Sequence, residues 1–279
     1  MYVTTSGATE IDITLDNSGR RSPYLSIAVD GTVSVDWGDN STASTITGSS
    51  LTSSVFTLHE YASIGNYTIK ISVSSGSFTF YEPSSRPSVL TAYDGSSYVN
   101  RRYDRSYSGA INDIRIGSGV TSIGISAFYY CYALKNITIP SGVTSIEIGA
   151  FNGCYALQSI TIPSNVTSIE ASTFSGCYAL QSIIIPSGVT NIKSAAFQYC
   201  YTLHSVTIPS SVTSIGNNVF YNCYAVTEYH FQRTTPPTLG TTVFSGIIAG
   251  TIIYVPSTSL DTYKTASNWS TYASYMQGE

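Results

Sequence analysis

Apolar residues recur at one fixed spacing through the second half of the chain. Valine, phenylalanine, cysteine and proline each return every 23 residues between about residues 120 and 230. Within one unit, Leu157, Ile160 and Ile162 follow an L-x-x-I-x-I spacing, which places alternate residues of a short strand on one face. Several independent positions that share one period indicate a stack of coils, in which each unit buries its apolar face against its neighbours.

Each repeat is predicted to hold two short strands and one turn. The strand that contains Ile160 ends at Pro163, because proline cannot donate a hydrogen bond to a strand ladder. A second extended stretch, V-T-S-I, directs Val143 and Ile146 inward. The A-F-x-x-C segment is expected to form a helical or 3₁₀ turn that places the phenylalanine in the core.

The repeat unit V-T-S-I-x-x-x-x-F-x-x-C-Y-A-L-x-S-I-T-I-P-S resembles the BspA-type leucine-rich repeats of bacterial surface proteins. The resemblance covers about residues 111–230, with residues 111–119 as a degenerate first unit, and the tail to residue 279 is similar to the usual ending of that family. It implies a parallel-β solenoid, an extracellular or cell-surface location, and a role in adhesion or host interaction. It identifies no ligand.

The first ninety residues follow a different pattern, in which apolar and polar residues alternate as in half-buried strands. Turn signals such as Asp30-Gly31 separate the alternating segments, and this spacing predicts a small antiparallel sandwich. Three stretches resemble the polycystic-kidney-disease-type (PKD) domain over about residues 8–82: Val35-Asp-Trp-Gly-Asp39, His59-Glu-Tyr61 and Gly65-Asn-Tyr-Thr-Ile-Lys-Ile-Ser-Val73. That resemblance implies a spacer with modest protein or carbohydrate contacts. Asn40 stands where the family commonly has a turn glycine.

We therefore predict a mainly β protein, with an N-terminal antiparallel PKD/Ig-like β-sandwich followed by a right-handed leucine-rich repeat solenoid. The predicted domains are 1–83 for the sandwich, 84–119 for a linker and N-terminal cap, 120–230 for five 23-residue repeats, and 231–279 for a C-terminal cap. In that cap, Ser257 is expected to N-cap a helix over about residues 258–265. Trp269, Tyr272 and Tyr275 are available to cover the last coil.

Charged residues make up only 10% of the chain, against roughly 25% in typical soluble domains. The net charge of −4 and the lack of a basic stripe predict that nucleic acid is not a partner. No apolar run approaches the ~20 residues that span a bilayer, so we predict no membrane insertion. The first residues lack the features of a secretory signal, which leaves a virion-associated location as the alternative. The oligomeric state stays open.

Few residues are arranged for chemistry. His59, His204 and His230 stand beside no nucleophile or metal-ligand spacing, and for His59 a structural role is favoured over pairing with Asp36 or Asp39 as a base. Asp36, Asp39 and Asn40 could form a weak calcium site, but turn capping by these side chains is favoured. The five cysteines exclude the spacing of a zinc site and predict a buried thiol ladder. We predict no catalytic residue, no metal and no cofactor.

The residue after each cysteine is a tyrosine, and this column is the candidate binding site. Its members are Tyr132, Tyr155, Tyr178, Tyr201 and Tyr224. They predict an aromatic ladder. The favoured interpretation is that stacking of the rings stabilises the solenoid. The functional interpretation is that the ladder forms a platform for sugar rings or a partner protein. A second candidate surface is the outward row of small, uncharged strand residues. It consists of Asn136, Thr138, Ser159, Thr161, Ser182, Ile184, Ser205 and Thr207.

These observations predict a non-catalytic binding, adhesion or surface-display protein whose solenoid recognises a protein or carbohydrate ligand on a host or bacterial surface. Two alternatives remain at this stage. One is a phage virion structural or receptor-binding protein, suggested by the missing signal and the hydroxyl-rich surface. The other is a glycan-binding accessory module, suggested by the tyrosine column.

Overall fold

The computed structural model describes residues 2–3, 9–15, 23–59, 61–63, 65–79, 90–92, 111–118 and 120–279. Most of the linker predicted at 84–119 therefore lies outside the described residues. Side-chain environments are described for residues 29–49, 59, 61–63, 65–74, 111–118 and 120–279.

The regular elements of the described residues are strands, apart from one α-helix, α1 (Leu260–Thr265), and two 3₁₀ helices, Ser257–Ser259 and Ser270–Tyr275. The strands are β1 (Tyr2–Val3), β2 (Thr9–Leu15), β3 (Pro23–Asp36), β4 (Ser44–Leu58), β5 (Gly65–Thr79), β6 (Leu90–Ala92), β7 (Ile111–Arg115), β8 (Val120–Ile123), β9 (Asn136–Thr138), β10 (Ser145–Ile146), β11 (Ser159–Thr161), β12 (Ser168–Ile169), β13 (Ser182–Ile184), β14 (Asn191–Ile192), β15 (Ser205–Ile208), β16 (Ser214–Ile215), β17 (Glu228–Phe231), β18 (Thr238–Leu239), β19 (Ile252–Val255) and β20 (Met276–Gly278).

The N-terminal strands differ from the sandwich that the sequence pattern predicts. The described strands β1 to β10 share one hydrogen-bonded sheet rather than two separate sheets. β3 runs straight through Asp30-Gly31, where a turn was expected, because Gly31 pairs with Gly48 on β4 and with Gly76 on β5. A Cβ at Gly48 would collide with the Val29 carbonyl oxygen, so glycine is required for this close approach of the two backbones. The glycines thus join what looked like separate short strands into strands of 14 and 15 residues.

The same sheet continues into the first coil of the solenoid. β2 pairs antiparallel with β7, with Ile11 opposite Ile114, and β1 pairs antiparallel with β8, with Val3 opposite Val120. Both strands of the first coil are therefore hydrogen-bonded to the first fifteen residues of the chain. An uncovered strand edge is a template for aggregation, so this pairing caps the solenoid, a role that the sequence assigned to residues 84–119.

The solenoid has about seven turns, each contributing strands to two parallel β-faces. On the first face the strands stack in register, as in Ser159 opposite Ser182, and on the second face Ile169 stands opposite Ile192. Along β11 the burial alternates, with Ile160 inward and its neighbours outward. This alternation confirms the inward and outward positions expected from the L-x-x-I-x-I spacing.

The third side of each coil is a series of turns instead of the helical or 3₁₀ turn that was expected. In the coil of Phe128, successive backbone N–H groups alternate between a carbonyl of the same coil and a carbonyl of the next coil. The Tyr129 N–H donates to the Ser126 carbonyl in its own coil, whereas the Phe128 N–H donates to the Ala150 carbonyl of the next coil at 2.8 Å. An α-helix would direct its N–H groups to carbonyls four residues earlier in its own segment. Stacking of the coils prevails because it gives every second N–H group a partner in the neighbouring coil.

These turns require left-handed backbone at two positions of each coil, on either side of the phenylalanine. Glycine occupies both positions in one coil, at Gly149 (φ 64°) and Gly153 (φ 77°), while Ala195 (φ 58°) and Tyr199 (φ 64°) occupy them two coils later. Left-handed φ is costly for residues with a Cβ. The repeat therefore tolerates local strain where side chains replace the glycines.

A column of buried phenylalanines runs along the axis. The rings of Phe151 and Phe174 stack with centroids 5.6 Å apart and planes 2° apart, and the next pairs repeat this geometry as far as Phe244. At the C-terminal end Trp269 packs edge-on against Phe231 at 4.9 Å, and its indole N–H donates to the Pro237 carbonyl. Trp269 is buried, and Tyr272 and Tyr275 pack against the same core, which confirms the cap expected from the sequence.

The expected N-cap of the terminal helix is wrong. α1 begins at Leu260 after the 3₁₀ helix, with Ser259 at its N-cap position, and no side chain caps it. The Ser257 hydroxyl instead donates to the Glu279 carbonyl oxygen at 3.1 Å. Ser257 thereby ties the end of β20 to the segment that follows β19.

Candidate functional site

Four of the five candidate tyrosines form one continuous stack along the third side of the solenoid. The ring centroids of Tyr155 and Tyr178 are 4.5 Å apart, those of Tyr178 and Tyr201 are 4.9 Å apart, and those of Tyr201 and Tyr224 are 5.7 Å apart. The three pairs of ring planes are nearly parallel, with angles of 3°, 17° and 9°. We call these four residues the tyrosine ladder.

The fifth candidate, Tyr132, lies outside this stack. Tyr155 is the first member of the ladder, and the ring of Tyr130 contacts it edge-on with the centroids 5.8 Å apart. Tyr130 takes left-handed backbone with a φ of 57°. The next two coils carry Gly153 and Gly176 at the position of Tyr130, so this edge-on contact does not recur there.

The ladder presents ring edges and hydroxyls to solvent rather than ring faces. Tyr178, Tyr201 and Tyr224 are 37%, 38% and 48% exposed, yet both faces of the two inner rings, Tyr178 and Tyr201, are covered by their neighbours. Burial, followed by the neighbouring hydroxyls of Tyr178 and Tyr224, raises the pKa of Tyr201, so the Tyr201 hydroxyl stays uncharged at neutral pH. The ladder presents its hydroxyls once per coil.

The outward strand row combines small polar residues with one large apolar residue. Its serines and threonines are exposed, while Ile184 is 78% exposed in the middle of the row. Ile184 stands opposite Thr161 on the neighbouring strand. The row holds no aromatic side chain, so it is the weaker of the two candidate surfaces.

The five cysteines are free and buried, as the sequence predicts. Burial raises the pKa of Cys131 and of Cys223 to about 12, and it also raises the pKa values of the three thiols between them. At neutral pH these groups are thiols and not thiolates, which are the nucleophilic and metal-binding form. The column serves the core of the solenoid.

The N-terminal motif residues gather around one indole ring. His59 stacks on Trp37 at 4.8 Å and donates to the Asp39 carboxylate at 2.8 Å, and the Tyr61 hydroxyl donates to the Trp37 carbonyl oxygen at 2.8 Å. Burial acts to raise the pKa of Asp39, but hydrogen bonds from Ser41 and His59 outweigh it and hold that pKa at about 2. The contacts of His59 fit the structural role favoured from the sequence.

The oxygen-bearing loop beside this cluster is organised as side-chain-capped turns. The carboxylate of Asp36 accepts from the Gly38 N–H at 2.9 Å, and that of Asp39 accepts from the Ser41 N–H at 3.1 Å. This is the turn capping favoured over a calcium site. Asn40 takes left-handed backbone at a φ of 64°, which asparagine adopts more readily than most residues, so it replaces the usual turn glycine.

One ionic cluster was not visible in the sequence. Nδ1 of His230 lies 2.8 Å from Glu279, Nε2 lies 3.4 Å from Glu228, and the imidazole stacks on Tyr254 at 4.8 Å. Burial lowers the pKa of His230, but hydrogen bonds to the two carboxylates outweigh it and leave that pKa above its usual value. Glu279 is 49 positions away in the sequence, and local spacing gives no sign of this pairing.

The part of the chain that the structure describes holds no group of three or more histidine, cysteine, aspartate or glutamate side chains placed to bind a metal ion. Within those same residues, no helix has the length and apolar character needed to cross a bilayer.

The repeats match a known family model. Residues 103–227 match the BspA type leucine rich repeat region in six copies. This part of the chain is therefore a BspA-type leucine-rich repeat region, as its motif suggests. No curated protein matches the chain.

Several solved structures share the repeat. A leucine rich cell surface protein from Faecalibacterium prausnitzii A2-165 is 41% identical over 43% of this chain and 31% of its own, with a TM-score of 0.42. A leucine-rich repeat protein from Bacteroides ovatus ATCC 8483 is 34% identical over 53% of this chain and 43% of its own, with a TM-score of 0.49. The leucine rich repeat protein of T. pallidum is 23% identical over 56% of this chain and 83% of its own, with a TM-score of 0.46. The chain thus spans less than half the length of the first two.

Proposed function

We propose that this chain is a non-catalytic recognition protein of the adhesion or surface-display class, and that its ligand contacts the tyrosine ladder. The observation that carries the proposal is the uninterrupted row of four stacked tyrosines with exposed edges. Tyrosine combines a large rigid contact area with a hydroxyl that donates and accepts, and it is enriched in recognition surfaces. The core alone does not need these side chains, since the phenylalanine column already fills it.

The repeat family supports a position outside the cell. BspA-type repeats are typical of surface proteins, and a surface rich in hydroxyls and poor in charge suits display. The partner in this proposal is a protein or a carbohydrate on a host or bacterial surface.

We further propose that residues 1–83 serve as a PKD-like spacer next to the solenoid. Support comes from the contacts among Trp37, Asp39, His59 and Tyr61, which unite two of the three motif stretches in one cluster. The glycine of the W-x-G-D stretch, Gly38, has a φ of 76°, and a Cβ there would clash with the backbone of Thr68. The third stretch therefore packs directly against the first.

The test compares the intact chain with two triple variants for binding to intact bacterial and host cells. Tyr155→Ser, Tyr178→Ser and Tyr201→Ser together remove the ladder, while Ser159→Ala, Ser182→Ala and Ser205→Ala change exposed residues of the strand row and act as the matched control. We expect saturable binding that the tyrosine variant loses and the serine variant keeps. Circular dichroism establishes that both variants are folded. Full binding by a folded tyrosine variant would refute the ladder as the site.

A further inference from the structure

The turn segments that carry the tyrosine column hold no charged residue in five successive coils. The segments 126–133, 149–156, 172–179, 195–202 and 218–225 contain only uncharged side chains. Protein interfaces are enriched in arginine as well as aromatic residues, and acidic or basic ligands require opposite charges. This side offers hydroxyls, amides and aromatic carbon, which are the groups that suit an uncharged, hydroxyl-rich ligand.

Side-chain size and burial indicate a shallow trough beside the ladder. After Tyr155, Tyr178 and Tyr201 comes a half-buried small residue, then a buried leucine, then an exposed longer polar residue, as in Tyr178, Ala179, Leu180 and Gln181. Because the leucine is buried and alanine carries a single side-chain carbon, the small residues form a low floor between two taller rows. One wall is the tyrosine ladder, and the other is the exposed row Gln158, Gln181 and His204, whereas Lys135 lies one coil before the ladder.

The floor of the trough is held by hydrogen bonds between coils. The Ala156 N–H donates to the Tyr132 carbonyl at 3.1 Å, and the Ala179 N–H donates to the Tyr155 carbonyl at 3.0 Å. In the next coil Thr202 replaces alanine, and its hydroxyl donates to the Tyr178 carbonyl at 2.9 Å. Binding along this floor therefore costs little ordering of the protein.

The geometry of the ladder limits how a ligand lies in the trough. Ring centroids 4.5 to 5.7 Å apart leave no room for a sugar ring between tyrosines, so contacts are made with edges and hydroxyls. The same set of groups is presented once per coil, at a repeat of about 5 Å. A linear polymer with a similar rise per unit makes the same contacts in every coil, which a folded protein surface does not.

We propose that this trough binds an unbranched, uncharged glycan that lies along the solenoid axis with about one sugar unit per coil. The tyrosine hydroxyls and the amides of Gln158 and Gln181 hydrogen-bond to sugar hydroxyls, and the carbon-bearing face of each sugar covers the alanine floor. This inference rests on the proposed function, because it assigns the ligand class of the same surface.

The first test measures affinity of the full chain for uncharged linear oligosaccharides of increasing length, including β-linked glucans, mannans and N-acetylglucosamine oligomers. We expect affinity to rise with length and to level off once the oligomer spans the four stacked tyrosines. Sulfated and uronic acid oligomers of the same lengths should bind at least about tenfold more weakly, since the turn segments of the four ladder coils contain no cation to compensate their charge. Equal or tighter binding of the charged series, or affinity independent of length, would overturn the proposal.

Two variants test the trough itself. Ala156→Leu with Ala179→Leu raises the floor, and Gln158→Ala with Gln181→Ala removes the amide wall. Each should weaken oligosaccharide binding by roughly tenfold, the scale of one or two lost hydrogen bonds. Ala133→Leu is the matched control, because it makes the same change beside Tyr132, outside the ladder. A floor variant that binds as tightly as the Ala133→Leu control would contradict this placement of the ligand.

Treatment of the target cells separates failure of this inference from failure of the proposed function. Periodate destroys sugar vicinal diols, whereas protease removes surface proteins. Loss of binding to periodate-treated cells, with binding to protease-treated cells retained, supports the glycan. Loss of binding to protease-treated cells alone would refute the glycan as ligand and would leave the proposed recognition function intact. No saturable binding to any untreated cell would overturn both.

Discussion

The thiol of Cys177 donates a hydrogen bond to the carbonyl oxygen of Phe151, 3.3 Å away across the stack of coils. Cys154, Cys200 and Cys223 make the same contact with Phe128, Phe174 and Phe197 at 3.1 to 3.3 Å. The cysteine column is therefore more than a set of small apolar residues, because each of these thiols is a second donor to a phenylalanine carbonyl. That carbonyl also accepts a backbone N–H from its own coil, as Phe151 does from Cys154 at 3.1 Å.

Removal of one thiol should destabilise the fold. Cys177→Ala removes one of the two donors to the Phe151 carbonyl, which keeps the Cys154 N–H, and we expect the free energy of unfolding to fall by about 0.5–1.5 kcal/mol. Cys177→Ser keeps a donor and should recover part of that loss. Urea denaturation followed by circular dichroism provides the measurement. A serine variant no more stable than the alanine variant would show that the hydrogen bond contributes nothing beyond volume.

The thiols should be chemically silent in the native protein. Burial raises the pKa of Cys131 and Cys223 to about 12, so at pH 8 the reactive thiolate is a negligible fraction even where reagent could enter. We expect no modification by a maleimide in native buffer and modification of all five cysteines in denaturant. Intact mass spectrometry counts the adducts. Rapid labelling of a single cysteine without denaturant would reveal local opening of that coil.

Exchanges between alanine and glycine at the left-handed turn positions should change the stability of the fold in opposite directions. Ala195→Gly relieves a strained φ of 58° and should raise the free energy of unfolding by about 1 kcal/mol, whereas Gly149→Ala at φ 64° should lower it by a similar amount. The nearest atom to a new Cβ at Gly149 is the Ser126 hydroxyl at 3.4 Å, so the change tests backbone strain rather than a clash. Thermal and urea denaturation measure both variants. Shifts of equal sign would contradict the argument.

The His230 cluster should make stability depend on pH. Because its pKa is raised in the folded state, the ionic contribution is fully present below the unfolded value of about 6.5 and is lost as pH rises through the higher folded value. His230→Gln should therefore lower the melting temperature at about pH 5.5 and change it less at about pH 9. His204→Gln, a change at an exposed histidine outside the cluster, is the control. A His230→Gln effect that does not vary with pH would exclude the ionic contribution.

The repeat period determined the solenoid, because spacing alone tells which residues share a face. The inward positions of Ile160 and Phe151, the buried cysteines and the covering role of Trp269 were all predictable in this way. Each of these features follows from local periodicity that stacking then enforces.

Only the tertiary structure decided how distant segments meet. The pairing of β2 with β7, the passage of β3 through Gly31, and the contact of His230 with Glu279 all join residues whose separation carries no periodic signal. Even within the repeat, the sequence could not show that Tyr130 rather than Tyr132 meets Tyr155, since ring orientation depends on the left-handed turn and on glycines in the adjacent coils. Local pattern fixes which side of a coil a residue occupies, and packing decides which neighbour it contacts.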